Sequence, residues 1–161
     1  MRFQGFVCVV GGAGLGAQGM VGGQTIDIAA TGTRLDEQQL GHMHALKTGA
    51  LIRCAVRCGA LAGDADAATI ARLDAYADAL GIAFQVRDDI LDVEGDSAQL
   101  GKTAGKDAAQ AKATYPALLG LDGARARLDA MAGKTKAALG PLDARADALR
   151  RLAEFAVARI S

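Results

Sequence analysis

The chain has 161 residues, with 18 Lys plus Arg balanced by 18 Asp plus Glu. It fits one domain with a real core, and no global field steers it to nucleic acid or an anionic membrane. Hydrophobic residues make up 51% of it, yet no uninterrupted apolar run approaches the roughly 18 residues of a bilayer-spanning helix, and 4% aromatics without Trp argue against base-stacking platforms and aromatic-lined pockets.

At the N-terminus, Met1-Arg2 ahead of Phe6-Val7-Cys8-Val9-Val10 faintly resembles a secretory signal. Glycine interrupts that run, and the rest of the chain offers no disulfide framework. Cys8, Cys54 and Cys58 are an odd set with no partners at zinc spacing, and they read as buried small hydrophobes in a reduced cytosol. The expected compartment is therefore cytoplasmic.

Gly14-Leu15-Gly16-Ala17-Gln18-Gly19 matches G-x-G-x-x-G behind the strand-like residues 6–10, with Asp36 and Glu37 at a suitable distance for a ribose. That fingerprint needs a helix opening at its third glycine. Met20-Val21-Gly22-Gly23 is expected to be poor helix, and no later strands are predicted that could build a doubly wound sheet. A nicotinamide-binding fold is therefore the disfavoured alternative.

From residue 34 onward the pattern is helical, and an all-α fold is predicted. Segment 34–46 carries Leu35, Gln39, Met43 and Leu46 at helical spacing, with Thr33 as N-cap and Asp36 and Glu37 suiting the positive helix end. His42 and His44 are two apart, so they point to different faces and do not share a metal. Segment 48–61 places Arg53 and Arg57 at i, i+4, facing water or a partner carboxylate. Residues 66–93 form a long predicted helix whose stripe of Ile70, Leu73, Ala77, Leu80 and Phe84 runs across Gly81, where a kink or a close helix contact is expected. A turn-rich loop is predicted over 94–106, then a short helix capped by Asp107 and ending before Tyr115-Pro116, then helices over 117–139 and 143–160.

The end of the long helix is the most informative stretch. At 100° per residue, Gln85, Asp88, Asp89 and Asp92 fall within an arc of about 100°. Ile82, Ala83, Val86, Ile90 and Val93 occupy a neighbouring arc that can bury, so the carboxylates should line a cleft. Three clustered carboxylates repel one another unless a cation sits on them, and oxygen-seeking Mg²⁺ is the natural partner.

Five blocks in order then carry a resemblance: Gly19-Met20-Val21-Gly22-Gly23-Gln24, His44-Ala45-Leu46-Lys47-Thr48-Gly49-Ala50-Leu51, Phe84-Gln85 with Asp88-Asp89-Ile90-Leu91-Asp92, Leu100-Gly101-Lys102-Thr103, and Lys112-Ala113-Thr114-Tyr115-Pro116. From about Leu15 to the end, the chain resembles the C-terminal half of the trans-isoprenyl diphosphate synthases, most closely the bacterial farnesyl type. Residues 1–14 stand apart as an unmatched segment, and 15–161 as half of an isoprenoid synthase-type helical bundle around a central cavity. The resemblance implies condensation of an allylic diphosphate with isopentenyl diphosphate through a carbocation. It also implies that Asp88, Asp89 and Asp92 hold one Mg²⁺ bridging to the leaving diphosphate, Asp89 less directly. Lys47 and Lys102 would then contact diphosphate oxygens, Lys112 would help close the site, Gln85 would donate one turn earlier, and Thr48 would line the hydrocarbon channel. Gln24 and Asp27 match a part of the pattern that could orient either helices or the site.

The family uses two facing aspartate-rich motifs, and here the only adjacent Asp pair is Asp88-Asp89. The elements that hold isopentenyl diphosphate also belong to the family's first half. The resemblance therefore implies a truncated prenyltransferase, inactive alone, that binds an allylic diphosphate or pyrophosphate. The alternative is a non-catalytic oligomeric or partner-binding remnant of the same fold. Half of a cavity-lined bundle exposes apolar faces, so a homo-oligomer is expected.

Overall fold

The computed structural model describes residues 12–99 and 113–160, with side chains for all of these except 96–99. Every regular element among the described residues is helical. After a helical turn at 12–15 come α1 (Met20–Ala29), α2 (Glu37–His44), a π-helical turn (Ala45–Gly49), α3 (Ala50–Ala62), α4 (Ala67–Gln99) and α5 (Tyr115–Leu139). A 3₁₀ turn (Ala144–Ala146) then leads into α6 (Asp147–Ala158).

The glycine pair expected to oppose a helix lies inside α1, and the reason is tertiary. A Cβ at Gly23 would stand 2.1 Å from the Lys47 nitrogen, so glycine alone lets α1 rest directly on the π turn. The local cost of glycine is offset by a packing that no other residue permits. The strand-like residues 6–10 lie outside the described residues.

Capping also departs in detail from expectation. α2 begins at Asp36 instead of Thr33, in a reciprocal box where Gln39 N–H donates to Asp36 (2.8 Å) and Asp36 N–H donates to the Gln39 side chain (3.0 Å). A carboxylate outcompetes the Thr33 hydroxyl because its partner three residues on can answer it. α2 then passes through the π turn into α3 without leaving helical backbone angles, so the two predicted segments are continuous. Asp66 accepts from Thr69 N–H (2.7 Å) at the start of α4, and Thr114 from Ala117 N–H (3.3 Å) at the start of α5. α5 therefore starts two residues earlier than expected and breaks at Gly120, where φ is 73°.

α4 is longer than predicted and includes 94–99, which were expected to form a turn. Residues 100–106 and Asp107 lie outside the described residues. Along α4 the core falls into two clusters. Leu73, Tyr76, Ala77 and Leu80 pack with Ala60 of α3, Leu139 of α5, and Ala153 and Ala156 of α6. Ala83, Val86 and Ile90 pack with Leu40 and Met43 of α2 and with Tyr115, Ala124, Leu128 and Met131 of α5. Val93, expected on the same buried arc, is 39% exposed, since this core ends at Ile90.

Gly81 marks the junction between the clusters. Its added Cβ would stand 2.7 Å from the Gly49 Cα, so α4 crosses the end of the π turn glycine on glycine. The close contact expected at this position is present. Arg53 and Arg57 reach Asp78 (3.5 Å) and Asp74 (3.3 Å), joining α3 to α4 on the surface. Among the described residues no helix is long and apolar enough to cross a membrane.

Candidate functional site

The π turn is clamped between α1 at Gly23 and α4 at Gly81, and it carries both Lys47 and Thr48. A π insertion widens the helix by one residue and so re-aims the side chains at that turn. Lys47 Nζ lies 2.6 Å from Asp27 Oδ2, with the side chains 32% and 20% exposed, so the ammonium is directed toward α1. Asp27, which the sequence left between orienting a helix and orienting the site, is the partner of the candidate cation. Gln24 and Thr48 are half-buried nearby in the same two elements.

On α4 the four polar side chains of the acidic face take different surroundings. Gln85 donates to Asp88 Oδ2 (3.3 Å), and the other Asp88 oxygen is bound by the Arg159 guanidinium. Asp92 is exposed. Asp88, Leu91, Asp92, Glu94 and Ile160 line a cleft of about 470 Å³. Asp89 turns inward instead, where its carboxylate accepts the Tyr115 N–H (2.9 Å) at the start of α5 and lies 3.9 Å from His44 Nε2. A carboxylate at a helix N-terminus is favoured by the dipole and by an otherwise unpaired N–H.

His44 sits between these two groups. It is buried, stacks on Tyr115 with ring centroids 5.8 Å apart, and feels Lys47 and Asp27 on one side and Gln85 and Asp88 on the other. Burial, reinforced by Lys47, lowers its pKa to about 4, so the imidazole is neutral at ordinary pH and its approach to Asp89 is not an ion pair. Burial raises Asp89 to about 6, helped by Asp92 and Asp88 and opposed by the Tyr115 N–H and Lys47. The inner carboxyl thus takes up a proton more readily than an ordinary aspartate, while the outer ones face the cleft.

Asp88 and Asp92 present hard oxygen donors to one cleft, a set that fits Mg²⁺, which binds through one or two carboxylates and completes its shell with water and phosphate oxygens. Among the described residues no group of three or more His, Cys, Asp or Glu is arranged to hold an ion by itself. The structure therefore brings Lys47, Gln85, Asp88 and Asp89 around His44, with Thr48 on the same turn as Lys47 and Asp92 at the outer edge. Lys102 and Lys112 lie outside the described residues. Two residues at the site had no role legible in the sequence. His44 opens one of the resemblance blocks, but only the structure shows it buried beside Asp89, and Arg159 is 71 residues from its partner Asp88.

The polyprenyl synthetase family model matches residues 16–146. The chain is 46% identical over 148 residues to the farnesyl diphosphate synthase of Escherichia coli, covering 89% of this chain and 50% of that protein. It is 48% identical over 113 residues to the farnesyl diphosphate synthase of Geobacillus stearothermophilus, covering 70% and 38%. Among solved structures, an FPP/GFPP synthase from Zymomonas mobilis is similar with a TM-score of 0.83 at 34% identity, over 97% of this chain and 51% of that one. A geranyltransferase from Helicobacter pylori, solved with magnesium and isoprenyl diphosphate, is similar with a TM-score of 0.78 at 29% identity, over 97% and 51%. The match spans between 38% and 51% of the length of these relatives.

Proposed function

The chain belongs to the polyprenyl synthetase family, and we propose that it forms the Mg²⁺-diphosphate half-site of a trans-prenyltransferase of the farnesyl or geranyl diphosphate synthase type. The observation that carries this reading is the convergence of Lys47 and the Gln85-Asp88-Asp89 face on either side of buried His44. Asp88 and Asp92 hold the metal at the cleft, and Asp89 fixes the helix behind them. Lys47, parted from Asp27, meets the diphosphate oxygens as a point charge, Gln85 donates beside it, and Thr48 faces the hydrocarbon. Mg²⁺ held there would supply positive charge to offset the charge that develops on a leaving diphosphate. Lys102 and Lys112 join this set on the family match alone.

Residues 15–161 act as the C-terminal half of the synthase fold, in the cytoplasm, and self-association covers exposed apolar residues such as Val21 and Ile28. Alone, the chain does not condense substrates. Its only adjacent Asp pair is Asp88-Asp89, and without an opposing metal anchor or an isopentenyl diphosphate site it forfeits alignment worth roughly 7–11 kcal/mol of barrier.

Calorimetry on the purified chain tests the half-site: pyrophosphate binds weakly, only with Mg²⁺, and not to Asp88→Ala. Binding indifferent to Mg²⁺ or to that substitution overturns the reading. Radiolabelled farnesyl diphosphate made from geranyl and isopentenyl diphosphates by the wild-type chain, and lost in Asp88→Ala, overturns the claim of inactivity.

A further inference from the structure

We infer that Arg159 is the internal counter-cation of the metal-facing carboxylate: its guanidinium holds Asp88 in the metal-free chain, and a divalent cation gains Asp88 only by displacing it. The inference rests on the half-site reading above.

Three observations support it. First, both oxygens of Asp88 are engaged, Oδ1 by Arg159 and Oδ2 by the Gln85 amide. A guanidinium has five donors and no lone pair, so it cannot join a metal shell, and its positive charge on Oδ1 opposes a divalent ion at the same atom. Second, Arg159 is held as a seated group. Its side chain is 13% exposed, it donates to the Phe84 carbonyl (3.1 Å), its guanidinium carbon lies 4.0 Å from the Phe84 ring centroid, and its own carbonyl accepts from Arg87 Nε–H (2.8 Å). Third, Arg159 stands one residue past α6, with extended backbone angles (φ −57°, ψ 146°), so it can leave Asp88 without unwinding the helix. Asp92, by contrast, has no ion pair among the described residues. Of the two carboxylates read as metal-facing, Asp92 is therefore open and Asp88 occupied from within, while Glu94, which also lines the cleft, is paired with Arg125 (3.0 Å).

Mn²⁺ binding, followed by electron paramagnetic resonance at fixed ionic strength, tests this without any turnover. Arg159→Gln is expected to bind Mn²⁺ roughly fivefold tighter than wild type, the release of a partly buried pair, and Arg159→Lys to stay close to wild type. In parallel, the Arg159 Nε–H resonance of the wild-type chain should shift as Mg²⁺ is titrated to saturation. Wild-type binding with Arg159→Gln no tighter, or weaker, overturns the inference and leaves the half-site standing. Failure of wild type and variant alike to bind Mn²⁺ overturns both. If Arg159→Gln does not fold by circular dichroism, the wild-type resonance decides, and a signal unmoved at metal saturation refutes the displacement.

Discussion

Replacing Gly23 by Ala isolates the contact that seats the Lys47 turn, because a matched control exists elsewhere in the chain. Gly59 lies within α3, and its added Cβ would meet nothing within 4 Å. Gly59→Ala should therefore gain up to about 1 kcal/mol from helix propensity alone. Gly23→Ala gains the same intrinsic term, but its Cβ would lie 2.1 Å from the Lys47 nitrogen, 2.5 Å from the Lys47 Cα and 2.8 Å from the Leu46 carbonyl carbon. All three are backbone atoms, so no rotamer change relieves the overlap, and α1 must lift off the π turn by roughly 1 Å or more. Overpacking costs about 1–3 kcal/mol, here at its upper end, for a net loss of about 2 kcal/mol. Urea melts of both variants, followed by far-ultraviolet circular dichroism in EDTA, read the difference. In thermal scans followed by the same signal, the melting temperature of Gly23→Ala should fall by roughly 4–8 °C. A Gly23→Ala variant as stable as Gly59→Ala would refute the contact.

Stability against pH should be nearly flat between about 4 and 6 because two buried groups oppose each other. Asp89 has a folded pKa of about 6, above its ordinary value, so the fold binds the extra proton and loses this contribution as pH rises from about 4 through 6. His44, lowered to about 4, does the reverse: the unfolded chain takes up the proton, and stability is lost as pH falls from 6.5 through 4. Each arm alone is on the order of 3 kcal/mol. Denaturant melts of His44→Gln should show stability falling as pH rises through this window, and melts of Asp89→Asn should show it rising; parallel slopes in the two variants would contradict the assignment. A double-mutant cycle on Lys47→Ala and Asp27→Ala should yield a coupling of about 1–2 kcal/mol for this half-buried pair, and additivity within about 0.5 kcal/mol would mean the 2.6 Å contact contributes nothing.

The helical class, the long α4 and the acidic face were legible in the sequence because each rests on periodicity. Carboxylates at 88–92 sharing an arc beside Ala83, Val86 and Ile90 are a statement about one helix, and a 3.6-residue period fixes it before any partner is known. The Gly81 contact was legible for a similar reason, since a glycine that interrupts a strong stripe has to be explained by something outside that stripe. Gly22-Gly23 misled by the same logic read the other way. Propensity scored them as breakers, and only the position of the Lys47 backbone 2.1 Å from a hypothetical Cβ shows why a helix there needs glycine.

What tertiary structure alone decided was the division of labour among identical side chains. Asp88, Asp89 and Asp92 are indistinguishable by type and nearly so by spacing, yet one is bound by Arg159, one caps α5 beside neutral His44, and one faces the cleft. Charge, desolvation and hydrogen bonding act across distances that chain order does not encode: Arg159 and Asp88 are 71 residues apart, and Asp89 and the Tyr115 N–H are 26 apart. The sequence determined which chemistry was present and on which helix; the packing determined which oxygen atoms remain free to perform it.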